Sequence, residues 1–140
     1  MQLDLLKRVY QEGKSDCLQA CLATLLNIEY LFIPKWYENY NSKHYSEEIF
    51  WNEVGQWLDN NGYFYTWQKY DIDYLPCISS KIFHCIGFLK KEENKSHAVV
   101  LELVNCDGND VKLKIWHDPK KDSDSKIADL SSIMIIGSSI

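Results

Sequence analysis

The period of the apolar residues changes at Gly62. Before it they recur at helical spacing, and after it they gather in short runs of Val, Ile, Phe, Tyr and Trp separated by turn residues. In the stretch 16–27, DCLQACLATLLN, the residues Leu18, Cys21, Leu22, Leu25 and Leu26 are helically spaced with good helix formers between them, which predicts a largely buried helix. Ser15 or Asp16 can cap it, because a short side-chain oxygen there accepts from the free N–H groups of the first turn, and Cys17 then lies in that turn. Pro34 holds Ile33 away from helical angles, so IEYLFIPKW is an irregular crossing or a short helical turn that ends there. A second helix is predicted over 46–60. Ser46 caps it, Glu47 and Glu48 face the positive end of its dipole, and Phe50, Val54, Trp57 and Leu58 form its apolar stripe. The run DNNG stops it, with Gly62 free to take left-handed angles. Strands are predicted over 63–68, 82–89, 97–104, 111–117 and 132–136. Helices first and strands second define an α+β fold, with the cysteine-bearing helix packed on an antiparallel sheet.

A chain of 140 residues fits one domain, 1–140, with a helical part over about 1–62 and a sheet part over about 63–140. The net charge of -5, without any dense Lys/Arg block, argues against a nucleic-acid partner, since no basic face is available to displace counterions from phosphates. The opening MQLDLLKRVY lacks the apolar core of a signal peptide, and no apolar run reaches the length of a bilayer span. A cytoplasmic protein with no membrane partner is therefore expected. Thiols stay reduced in that compartment, and the odd count of five cysteines does not describe a disulfide framework. Cys17 and Cys21 have a permissible metal spacing, yet no second Cys/His pair has structural-zinc spacing, so neither a metal nor another cofactor is expected.

A thiol at a helix N-terminus, beside a cationic neighbour, is displaced toward its thiolate. The first-turn placement of Cys17 supplies the former, and a histidine from the sheet has to supply the latter. Of the four histidines, His44 sits in a polar loop and reads as exposed, while His84 lies inside a strand whose neighbours suggest burial. His97 opens the strand HAVVLELV, and His117 closes the next one. Cys21, one helical turn past Cys17, reads as packing. Trp51 and Trp116 read as core, and DPKKDSDSK as a solvated loop.

The turn NCDGND relates the strands of His97 and His117 in two alternative ways. A two-residue Asp107-Gly108 turn sets His97 opposite Asp118 and Leu101 beside Lys114. The alternative register packs Val99, Leu101 and Leu103 with Val111, Leu113 and Ile115, places Glu102 beside Lys112, and sets His97 opposite His117 with Asp118 reaching over from the strand end. Both leave Asp118 next to His97. Gln11, on the turn before the helix, can donate its amide to a developing oxyanion together with the Cys17 N–H.

Gln-x5-Cys at a helix start, His at a strand start and Asp at the end of the next strand resemble the papain-like cysteine peptidases. The opening QEGKSDCLQACLATLL echoes the Q…DC…AC opening of the bacteriocin-processing, double-glycine-leader peptidases. Cys17 to Cys21, Pro34, Trp51 and Trp57, His97 to Val100, and Asp118-Pro119 are similar to features of small stand-alone papain-like proteins of bacteria and phages. The resemblance implies a papain-like fold and a thiol hydrolase acting on a peptide or protein. In it Cys17 is the nucleophile, His97 the general base and later acid, Asp118 the residue orienting the imidazole, and Gln11 the oxyanion donor. Deamidation and acyl transfer use the same groups and stay open. Leu18 stands where many family members have Gly, which motivates a second reading, a non-catalytic scaffold gripping a peptide or partner protein in the same cleft. No membrane-spanning segment follows in this sequence, so leader processing is not part of the expectation.

Overall fold

Why the chain folds as it does begins with two helices of different character. The computed structural model describes residues 6–13, 15–36, 46–71, 82–92, 95–106 and 110–138. Helix α1 (Cys17–Leu26) is buried at every position from Leu18 to Leu26, so it runs through the interior. It ends at Asn27, whose φ of 55° is a left-handed angle that asparagine tolerates better than most residues. Helix α2 (Glu47–Asn60) is amphipathic. Ser46 caps it by accepting from the Ile49 N–H at 3.2 Å, Phe50, Val54 and Leu58 are its buried stripe, and Gly62 takes a φ of 82° just past its end. Between them, Tyr30–Phe32 make one turn of 3-10 helix that stops at an extended Ile33, the residue before Pro34.

The remaining elements are strands β1 (Tyr63–Lys69), β2 (Ile82–Glu92), β3 (Lys95–Cys106), β4 (Asp110–His117) and β5 (Leu130–Ser138), with a turn of 3-10 helix over Ile127–Asp129 leading into β5. They form one antiparallel sheet in the order β1-β5-β2-β3-β4. All five predicted strands are present and each is longer than predicted, β1 and β4 by one residue each, Lys69 and Asp110. His44, Cys77 and the Asp107-Gly108 turn lie outside the described residues.

Alternation along the strands gives the sheet two apolar faces. Ile86, Phe88, Ala98, Val100 and Met134 form one core with α1 and α2, and Cys85, Leu89, Val99, Leu101, Leu103, Leu130 and Ile133 form a second cluster on the other side. Helix α1 packs mainly on β3, and α2 on β1. Trp51 stacks edge-on to Phe88 and Trp67 and belongs to the first core. Among the described residues, no helix is long and apolar enough to cross a membrane.

The β3/β4 pairing corrects both expected registers. Leu101 pairs with Ile115, Glu102 with Lys114 and Leu103 with Leu113, out to Cys106 with Asp110. This keeps the faces of the second register but slides the strands by two residues. Apolar residues then still meet apolar ones, and Glu102 meets Lys114 in an ion pair of 3.3 Å. Beyond Leu101 the alignment shifts, Val100 pairing with His117, so that Trp116 is an extra residue in β4. A bulge of this kind changes the phase of everything after it. Continued one step, the pairing sets Asp118 level with Val99, diagonal to His97 rather than opposite it.

Candidate active site

Cys17 is the first residue of α1 and is half-buried, while its neighbour Leu18 is directed into the core. Its Sγ accepts from the N–H of Ala98 at 3.4 Å. Ala98 lies past the last β3/β4 pair, Val100 with His117, so the thiol takes up a strand N–H where the β4 ladder has ended. The helix start is thereby joined to the rim of the sheet beside His97.

His97 stands between two partners. Its Nε2 is 2.7 Å from Oδ1 of Asp118, and the Cys17 thiol is close enough to the ring to act on its titration. Burial disfavours the imidazolium, but the hydrogen bonds to Asp118 and Cys17 and the negative charges of both outweigh it, and the pKa of His97 is raised to about 9. Asp118 shows the complementary effect. Burial raises its pKa, yet the His97 bond, the Ser125 hydroxyl, the Lys120 N–H at 2.9 Å and the Ser123 hydroxyl together hold the carboxyl well below the usual carboxylate range. The two serine hydroxyls lie 2.8 Å from each other, and Oδ2 of Asp118 is buried without a hydrogen bond from either. The loop read from sequence as merely solvated therefore contributes to the electrostatics of Asp118.

Gln11 lies on a turn pinned at both ends. Its backbone N–H donates to the carbonyl of Pro119 at 2.9 Å, next to Asp118, and its Nε2 donates to the carbonyl of Gly13 at 2.8 Å. The other end of the turn is held by Asp16, only 1% exposed. Its carboxylate accepts from Glu12 N–H at 2.8 Å, from Gly13 N–H at 2.9 Å and from the Tyr30 hydroxyl. Asp16 occupies the N-cap position of α1 but makes no side-chain cap, which corrects the capping role expected from sequence. The tertiary donors of residues 12, 13 and 30 claim its oxygens instead.

The other thiols and histidines are placed elsewhere. His117, the alternative base, is 4% exposed and donates Nε2–H to the Val9 carbonyl at 2.7 Å, with the Tyr10 ring edge-on to it. Burial lowers its pKa, so it is a neutral tether for the N-terminal segment. His84 is buried, as its strand context suggested, with Nε2 3.3 Å from Glu102 and Trp116 beside it. Arg8 lies over the Trp116 ring at 4.0 Å, which places Trp116 under the N-terminal segment. Cys21 is fully buried and its thiol is pushed up by that burial, then by the charges of Cys17 and Asp118. Burial likewise pushes Cys85 up to about 12. Among the described residues, no group of three or more His, Cys, Asp or Glu side chains is arranged to hold a metal ion.

A shallow depression of about 580 Å³ opens beside the acid, lined by Tyr10, Asp118, Lys120, Lys121, Asp122 and Ser123. Sequence reasoning missed three features here. Ser123 and Ser125 were hidden in a charged run, the Val9/His117 tether pairs residues far apart in the chain, and Asp16 was assigned to the helix next to it. No family model matches this chain, and no curated protein does.

Proposed function

We propose that the protein is a cysteine-dependent hydrolase of papain-like type, acting on an amide or related acyl bond of a peptide or protein. The observation that carries this reading is His97, 2.7 Å from Asp118 on one side, with the Cys17 thiol held against the N–H of the adjacent Ala98 on the other. In the mechanism, the Cys17 thiolate attacks the acyl carbon while the protonated His97 waits beside it. The oxyanion takes hydrogen bonds from the Cys17 N–H and the Gln11 amide, His97 gives its proton to the leaving group, and water, deprotonated by the same ring, releases the acyl group. Asp118 stays ionised throughout and holds the imidazole in orientation.

The papain-like arrangement is supported by the meeting of a helix start with a sheet rim. The three described free cysteines, Cys17, Cys21 and Cys85, fit a reducing compartment such as the cytoplasm. Leu18 was the feature favouring a non-catalytic scaffold, and its side chain lies in the core at 7% exposure. Deamidation and acyl transfer differ from hydrolysis only in leaving group and acceptor, so they belong to the same proposal as variants of it.

Iodoacetamide labelling at about pH 6 tests the reading, because a thiolate held by an imidazolium reacts there while ordinary thiols near 8.5 are protonated. Selective alkylation of Cys17, lost in His97→Ala, supports the hydrolase. Slow labelling spread over all cysteines leaves only the scaffold.

A further inference from the structure

Resting on that reading, we propose that Asp16 is a positioning residue for the oxyanion site, acting through the turn that carries Gln11. A carboxylate at a helix N-cap ordinarily accepts from the first-turn N–H groups. Here it is turned away, and no side-chain bond caps α1. The N–H of Ala20 bonds to the Asp16 carbonyl as the first helical bond, so the N–H groups of Cys17, Leu18 and Gln19 precede the helical ladder and receive nothing from the Asp16 side chain. An incoming oxyanion finds the Cys17 donor uncapped by this residue.

The same carboxylate builds the second half of the site. Oδ1 accepts from Gly13 N–H at 2.9 Å, and the carbonyl of Gly13 accepts from Gln11 Nε2 at 2.8 Å. The Gln11 amide is thus linked to the residue before the nucleophile through Gly13, whose N–H and C=O lie on either side of one Cα, with its second N–H left over for a ligand. Oδ2 accepts from Glu12 N–H at 2.8 Å and from the Tyr30 hydroxyl, which locks the carboxylate itself. Both oxygens are in use as acceptors of N–H groups, and the side chain is 1% exposed. An asparagine has the same shape but only one acceptor oxygen, so it must lose one of the two turn bonds and point an N–H at an N–H.

The test compares two reactions of Cys17 that differ in their need for an oxyanion site. Iodoacetamide alkylation displaces iodide at an sp³ carbon and develops no oxyanion. Acylation by p-nitrophenyl acetate forms a bond from Sγ to the carbonyl carbon, breaks the bond to p-nitrophenolate and passes through a tetrahedral oxyanion. Asp16→Asn is expected to lower the acylation rate by about tenfold to a hundredfold, less than or equal to the roughly hundredfold to thousandfold seen when an oxyanion donor is removed outright, with alkylation within about twofold of wild type. Tyr30→Phe should lower acylation by a smaller factor in the same direction, and it decides the matter should Asp16→Asn fail to fold. Adding Gln11→Ala to Asp16→Asn should cost little more than either change alone, since both act on one donor. Unchanged acylation, or an equal loss in both reactions, overturns the role of Asp16 while leaving the hydrolase reading intact. Unselective, slow alkylation of the wild type removes the hydrolase reading and this inference together.

Discussion

Nε2 of His97 lies 2.7 Å from Oδ1 of Asp118, and the carboxylate reaches it diagonally, from the residue just beyond the end of β4. Both side chains are mostly shielded, at 12% and 16% exposure, so water screens the pair only partly. The pairing has a thermodynamic signature. The folded pKa of His97 is raised from 6.5 to about 9, so its contribution is complete below about pH 6.5 and is lost as pH rises toward 9. Asp118 is depressed from 3.8, so its contribution is present above about pH 4 and fades as pH falls further. Urea unfolding of wild type and Asp118→Asn should therefore differ most between about pH 4.5 and 6.5, by about 1 to 3 kcal/mol since Cys17 still acts on His97 in the variant, and the gap should narrow on both sides. A difference that stays flat from pH 5 to pH 9 would mean that the two groups are not paired.

His117 should matter for stability and not for the thiol. Replacing it by Ala removes the 2.7 Å bond to the Val9 carbonyl and the ring contact with Tyr10, at a cost of about 1 to 3 kcal/mol. Selective labelling of Cys17 at pH 6 should survive in His117→Ala and disappear in His97→Ala. Loss of selectivity in the first variant alone would transfer the base role to His117.

Gly87 sits where β2 has no room for a side chain. A Cβ there would stand 2.6 Å from Leu101 Cδ1 and 2.9 Å from Leu130 Cδ1, both on well-buried side chains that cannot swing into solvent. Gly87→Ala is expected to lower the urea midpoint by the equivalent of about 1 to 3 kcal/mol. A change below half a kcal/mol would show that the second cluster is looser than its packing indicates.

The caps of the two helices should behave differently. Ser46→Ala removes one bond to the Ile49 N–H and should cost about 1 kcal/mol, with Cys17 labelling unaltered. If labelling slows along with the loss of stability, α2 is coupled to the thiol more closely than its packing on β1 implies.

Elements were legible from the sequence wherever periodicity was strong, as in α1, where apolar spacing and burial agree from Leu18 to Leu26. The β3/β4 register was not. Asp107-Gly108 is a two-residue turn signal, whereas pairing ends at Cys106 and Asp110, and nothing local to Trp116 marks it as the extra residue of a bulge. Cys17, His97 and Asp118 were singled out by chemistry and order, and the fold brings the three together. Asp16 was legible as a helix-start residue only. Its actual partners include Tyr30, fourteen positions away, and a carboxylate's choice between a cap and a distant hydroxyl is made by tertiary packing.

The strand order has a consequence for how the chain can be made. Among the described strands, β5 comes last in sequence yet stands between β1 and β2, and it is the one strand that pairs with β1. As the polypeptide leaves the ribosome, β2, β3 and β4 can zip into a meander from local hairpins, but β1 has no strand to pair with until residues 130–138 emerge. A message truncated ahead of that point would yield a meander whose β1 segment lacks its strand neighbour, a natural target for cellular proteases.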